Sequence, residues 1–447
     1  MNTRWQMGSR PWRGAGRLVL ATVVGVVGLV LLAVLSRCPW GNPDTGAPPV
    51  ATPGGAGVGP GPWEPLSPSD QQIAEALQAL YGARAEALLR GDPSRVETLF
   101  DPSSRFGRWA YEHEVRRIQY LKVWAAARGI RLLEVQSQIA VRTIERASGR
   151  AWAYLVQTLT VDYVYTRSHG NGAAGGESPN GAARKVNRFR VGTRHMVEVA
   201  WQGQRWFIRR DWYTDPLEED AVVSDAQPAE VPEGLRSPAA PGSRGPSATD
   251  LGPTPTRPGH RMAEPGKFDR QGAVAYARRW AGLALGCQGS YNPRYRDYTY
   301  LGGDCTNFVS QALADPEGGR LATDSVWHYS WGHSRGAGSG SSTWVQAGSL
   351  ARYLVYSGRA QLVARGTYED LVKPTPEHPF GAIARMQEGD VLAYQERGRV
   401  EHLAIVTGRD SAGYVLVNTH TADRDLVPWD LGWDKNTIYW LLHIVER

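Results

Sequence analysis

Three kinds of side chain near the C-terminus have types and spacing that can do chemistry. They are the Cys305 thiol, the His402 imidazole, and the polar groups of His420 and Asn418. Cys305 stands in Gly303-Asp304-Cys305-Thr306-Asn307-Phe308-Val309-Ser310-Gln311, where a glycine loop gives way to a helical pattern. Phe308, Val309, Ala312 and Leu313 form an apolar stripe, with Cys305 one turn earlier on it. Asp304 is the expected N-cap, accepting from an orphan N–H of the first turn. The positive end of the helix dipole favours thiolate, which is the attacking form. The competing reading is an inert core cysteine, since free cysteine is among the most buried residue types.

His402 enters a strand pattern over 401–407. Asp410-Ser411-Ala412-Gly413 makes a turn, and 414–421 returns as a second strand. His402, Ala404 and Val406 share one face of the first strand, as Leu416, Asn418 and His420 do of the second. With the hairpin centred near Ser411, His420 falls opposite His402 and Asn418 becomes its diagonal neighbour. A cysteine at a helix start, a histidine on a strand and a polar group beside it are the parts of a Cys–His hydrolase. The imidazole takes and returns the proton, and the third group fixes its tautomer and ring angle. The backbone N–H of Cys305 is the expected oxyanion donor.

The cysteine-helix motif, Glu401-His402-Leu403-Ala404-Ile405-Val406-Thr407 and His420-Thr421-Ala422-Asp423-Arg424 together resemble the putative amidase domain family of Gram-positive bacteria, which is related to the NlpC/P60 and CHAP cysteine hydrolases. Trp327-His328-Tyr329 and Ser342-Thr343-Trp344 resemble that family's aromatic loop. The resemblance covers about 266–447, and it departs at Glu401, where the family usually has Asp. It implies a papain-like fold and amide-bond hydrolysis in wall peptides, with Cys305 as nucleophile, His402 as base, and His420 as third member with Asn418 in reserve. No cofactor is expected. Asp304, Trp327, Trp344 and Asp423 are candidates to meet substrate, set against helix capping for Asp304, core packing for the tryptophans and an ion pair for Asp423. His328, His333, His378 and His443 lack metal-ligand spacing, so no metal site is expected. A Cys287–Cys305 disulfide would remove the nucleophile.

The elements that must hold these groups follow from periodicity. Helical patterns run over 269–285 and 344–358, and a strand over 391–394. Ahead of them, 69–215 reads as a separate α+β domain. It has two helices, the first capped by Ser69 or Asp70, and then four strands with a hairpin turn at Gln202-Gly203-Gln204. That order resembles an NTF2-like or cystatin-like domain, read as a spacer or wall-binding module without a catalytic constellation. The 167–187 stretch is an expected disordered loop. Proline-rich 37–68 and 216–265 read as extended linkers. An apolar run at 18–36, about 19 residues long, follows a tail (1–17) rich in arginine and is read as an uncleaved membrane anchor with the domains outside the cell.

The formal charge of +6 is dispersed, which argues against nucleic-acid binding and for an anionic surface such as lipid headgroups or wall polymer. Seventeen Trp against seven Phe leaves sugar stacking open beside ordinary core use. The expectation is therefore an α+β, membrane-tethered extracytoplasmic cysteine amidase or peptidase of unspecified oligomeric state. A non-catalytic wall-binding scaffold is the alternative, and acyl transfer to an amine is a further use of the same groups.

Overall fold

The computed structural model describes residues 68–147, 149–166, 185–217, 222–229, 231, 267–283, 291–331 and 338–445. The expected tail, anchor and first linker, Cys38, Cys287 and most of the second linker lie outside the described residues. Among the described residues no helix is long and apolar enough to cross a membrane.

Two helices open the described chain, α1 (Pro68–Arg90) and α2 (Arg105–Ala127). The apolar positions that define α1, Ile73, Leu77, Leu80, Tyr81 and Leu88, are all buried, as their spacing requires. A four-strand meander follows: β1 (Ile130–Ala147), β2 (Arg150–Tyr165), β3 (Asn187–Gln202) and β4 (Arg205–Trp212). Gly203 (φ 53°) and Gln204 (φ 70°) form the two-residue turn between β3 and β4. Positive φ at both central positions matches the right-handed twist of the strands it joins.

The C-terminal part begins with α3 (Arg270–Arg279), capped by Asp269, whose side chain accepts from the Gly272 N–H at 2.8 Å. Next come α4 (Cys305–Ala314), a short ribbon of β5 (Tyr329–Ser330) with β6 (Ser339–Gly340), α5 (Ser342–Val345) and α6 (Ala347–Tyr356). β7 (Ala360–Gly366) and α7 (Tyr368–Val372) lead to β8 (Val391–Glu396), β9 (Arg399–Arg409), β10 (Val415–Thr419), β11 (Asp423–Pro428) and β12 (Ile438–Ile444). The helix expected over 269–285 ends at Arg279, and that over 344–358 is broken into α5 and α6.

These strands form one ten-stranded sheet in the order β1-β2-β3-β11-β10-β9-β8-β12-β7, with β4 on β3. Each pairing is antiparallel, including the join, where Asp423, Arg424 and Asp425 of β11 face Gly192, Val191 and Arg190 of β3. The fold is thus mixed α+β built on a single large antiparallel sheet. The chain from Pro68 onward forms one unit rather than two bodies on a flexible arm.

The second linker begins by docking. Leu217 is buried, the Pro216 carbonyl accepts from Arg424 at 2.9 Å, the Val222 N–H donates to the Asp434 carboxylate at 2.8 Å, and the Val222 carbonyl accepts from the Lys435 N–H at 2.7 Å. Pro216 and Leu217 are therefore held in place, while the Val222 side chain is exposed.

Candidate active site

Cys305 is the first residue of α4 and is a free thiol, 7% exposed. Phe308 and Val309 of α4 pack in one core cluster with Leu403 and Ile405 of β9. Ala404 and Val406, the alternate residues of β9, pack in a second cluster with Tyr394 and Trp429. The Cys305 sulfur accepts a hydrogen bond from the Leu403 backbone N–H and lies 3.7 Å from the Thr306 hydroxyl. Burial pushes the thiol up, with the Leu403 N–H opposing it. The thiolate expected from the helix dipole is therefore not the resting form. Desolvation of the sulfur outweighs the field of one helix terminus.

His402 sits beside a β-bulge, where the β8–β9 register shifts between Tyr394 and Gln395. Bulges re-aim side chains and recur next to active sites. Its ring lies at 5.6 Å from Tyr394 and 5.4 Å from Trp433. Nε2 is 3.0 Å from the Thr419 hydroxyl, which itself donates to the Leu403 carbonyl at 2.7 Å. With that hydroxyl proton placed on the carbonyl, Nε2 carries the imidazole hydrogen and Nδ1 is left as the basic nitrogen. Burial, and secondarily the Arg424 charge, push His402 down to about 3, so the ring is neutral. Among the described residues the sulfur makes no hydrogen bond to an imidazole. Sulfur and ring flank the same peptide unit, that between His402 and Leu403.

The expected partners of His402 are displaced by one residue. Val417 faces Val406 and Asn418 faces Ile405, after a register shift between Leu416 and Val417. A one-residue slip exchanges the two faces of a strand. Thr419, which carries no motif signal of its own, is thereby brought to His402, and Asn418 and His420 face away from it. Asn418 is fully buried and fully used. Its Oδ1 accepts from Thr407 (2.6 Å) and the Leu426 N–H (2.9 Å), and its Nδ2 donates to the Ala277 carbonyl (3.2 Å) and Asp425 (3.0 Å).

His420 instead joins two helix ends. Nδ1 is 2.7 Å from Asp304 Oδ2, and Nε2 donates to the Trp280 carbonyl at 2.6 Å, just past the end of α3. Both nitrogens are occupied, so neither is free for Cys305. The ring stacks on Phe308 at 4.0 Å and on Tyr291 at 3.5 Å. Asp304 makes no side-chain cap on α4. Its Oδ1 accepts from the Tyr298 N–H and Asn307 at 2.8 and 2.9 Å, and its Oδ2 faces His420. Burial pushes this carboxyl up, offset in part by its bond to His420.

Trp327 and Trp344 are core residues, not cleft lining. They stack on each other at 5.4 Å, and their indole N–H groups donate to Ser310 (3.0 Å) and Asn307 (2.9 Å). Asp423 is not open to a substrate. Tyr291 donates to its Oδ1 at 2.6 Å, and Arg194 of β3 lies 3.0 Å from its Oδ2.

Comparison with known proteins bears on the same segment. Residues 267–442 match the family model for a "Putative amidase domain". That match points to amide hydrolysis for this part of the chain. The chain is 28% identical over 192 residues to the uncharacterized protein YhbB of Bacillus subtilis (strain 168), covering 40% of this chain and 51% of that protein. It thus spans about half the length of the curated relative it matches. Among solved structures, a variant of Rv3472, a function unknown protein from Mycobacterium tuberculosis, is 15% identical at TM-score 0.20, covering 36% of this chain and 79% of its own. A putative scytalone dehydratase from Novosphingobium aromaticivorans is 14% identical at TM-score 0.20, with 33% and 91% covered. The intermembrane space region of chloroplast protein ARC6 is 11% identical at TM-score 0.20, with 34% and 97% covered.

Proposed function

We propose that this chain is a cysteine-dependent amidase or peptidase in which Cys305 is the nucleophile, His402 the general base and Thr419 the group that orients His402. One observation carries the reading. The thiol at the start of α4 is held by the N–H of the peptide that bears a neutral imidazole, and that imidazole is pinned through Nε2 with Nδ1 unengaged. A neutral thiol beside a neutral imidazole needs no standing charge in a buried site. Catalytic hydrogen bonds of this kind commonly tighten when substrate binds.

In the reaction, His402 Nδ1 takes the thiol proton as the sulfur attacks the amide carbonyl carbon. The carbonyl oxygen then carries the negative charge, and the Cys305 backbone N–H is free to donate to it, because the first N–H of a helix has no intrahelical acceptor. Collapse breaks the C–N bond, and the amine leaves with the proton from His402. Water, deprotonated by the same imidazole, hydrolyses the thioester.

We further propose that the substrate is an amide of cell-wall peptide and that the protein acts outside the cell, tethered by the arginine-flanked apolar run at 18–36. The composition supports an anionic extracellular setting over nucleic acid. Purified wall should yield new peptide termini by mass spectrometry with the wild-type chain and none with Cys305→Ala, which should still fold. Equal release by both proteins overturns the assignment. The slight exposure and raised pKa of the thiol favour a second reading, a wall-binding scaffold, which predicts retention of wall without new termini in either protein.

A further inference from the structure

A side chain from outside the segment that carries the amidase motifs reaches the residues behind the candidate site. Arg194 belongs to β3 of the α1–β4 part, and the family match starts only at 267. Its guanidinium reaches Asp423 Oδ2 at 3.0 Å, and it lies 4.8 Å over the ring of Tyr291. Tyr291 donates to the other oxygen of Asp423 and stacks on His420 at 3.5 Å with an interplanar angle of 5°. His420 in turn holds Asp304, the residue before Cys305.

The same contacts surround a strained turn. Thr421 (φ 60°) and Ala422 (φ 63°) are consecutive non-glycine residues in the left-handed region. Such residues cost free energy and persist where the surroundings over-determine them. Here β11 is fixed on one side by pairing to β3, and the Thr421 hydroxyl accepts the Asp304 backbone N–H at 2.6 Å on the other. The turn is thus tied by one hydrogen bond to the residue that precedes α4.

We propose that Arg194 is a positioning residue of the Cys305 site, supplied by the preceding α+β part, and that through Asp423, Tyr291 and His420 it holds the start of α4 in its buried alignment. This rests on the reading of Cys305 as nucleophile, but its test does not need turnover. Asp423 has no ion-pair partner from its own segment among the described residues. Losing the guanidinium leaves a buried carboxylate uncompensated beside Tyr291, which destabilises the stack that holds Asp304.

The test uses the full chain with iodoacetamide as probe. The rate of Cys305 modification is followed by peptide mass spectrometry at mildly alkaline pH, alongside wall-peptide turnover. Arg194→Ala should raise the alkylation rate by about tenfold, because water reaching the α4 start relieves the burial that pushes the thiol up. Turnover should fall in the same variant. Arg194→Lys, which keeps the cation, should recover most of both. A purely structural ion pair predicts a lower melting temperature with unchanged Cys305 alkylation in the folded protein, and that result overturns the proposal. Should Arg194→Ala not fold, Tyr291→Phe carries the test, because it cuts the bond to Asp423 and keeps the ring. It should accelerate alkylation, and an unchanged rate overturns the proposal equally. If wild-type turnover is itself absent, the amidase reading fails, while the alkylation result still decides the role of Arg194.

Discussion

Thr419 and Asn418 are chain neighbours with opposite assignments, and single substitutions separate them. Thr419→Val keeps the shape and removes the hydroxyl that holds His402 Nε2. It should lower kcat by about tenfold or more, with a stability loss of about 1 kcal/mol from the lost bond to the Leu403 carbonyl. Asn418→Ala should do the reverse. It strands the buried partners of four hydrogen bonds, a loss on the order of 2–4 kcal/mol of stability by chemical denaturation. Were Asn418 the third catalytic member, the two outcomes would exchange. His402 also sets an acid limit. Its folded value, about 3, lies below the ordinary histidine value of about 6.5. Its stabilising contribution is therefore present above the ordinary value and is lost as pH falls from there through the folded one. Between those limits the wild-type chain should lose more stability than His402→Gln, and parallel pH profiles would contradict the neutral, half-buried ring.

At the scale of elements, the sequence was most legible where periodicity was long. The apolar spacing of α1, the four-strand meander and the glycine turn at 203 all appear where pattern and turn chemistry put them. The start of α4 at Cys305 was equally readable, because Gly302 and Gly303 end one pattern and Phe308 begins the next. The pairing across the β9–β10 hairpin was not readable. An irregularity between Leu416 and Val417 has no composition signal, yet it shifts every residue beyond it by one and so exchanges Thr419 for His420. The short strands β7 (AQLVARG) and β11 (DRDLVP) were also not read, since neither carries a sustained alternation of apolar and polar residues. The tryptophans of the aromatic loop were open between core and cleft, and packing decides it. Trp327→Ala should cost about 3–5 kcal/mol, as deletion of a fully buried large side chain does. A loss of substrate affinity at unchanged stability would instead place that indole in a cleft.

Across the whole molecule, the join between β3 and β11 makes the α1–β4 part and the amidase segment one sheet. Buried polar contacts reinforce the join. Tyr163 and Tyr165 donate to Asp410 at 2.8 and 2.6 Å, Trp124 donates to Asp430 at 2.9 Å, and Arg128 pairs with Asp430 at 2.8 Å. The proline-rich composition of 216–265 suggested separable bodies because composition reports the chain between domains and not the edges that they bring together. Calorimetry of the chain from residue 68 should show one cooperative transition, and two resolved transitions would contradict a shared sheet.

The proposed chemistry turns on a covalent bond to one sulfur. Acid quenching of the full chain during turnover of purified wall peptide, followed by peptide mapping, should find an acyl group on Cys305. Neither Cys305→Ala nor His402→Ala should carry it. Turnover without any adduct at Cys305, or turnover that survives in Cys305→Ala, would contradict the account.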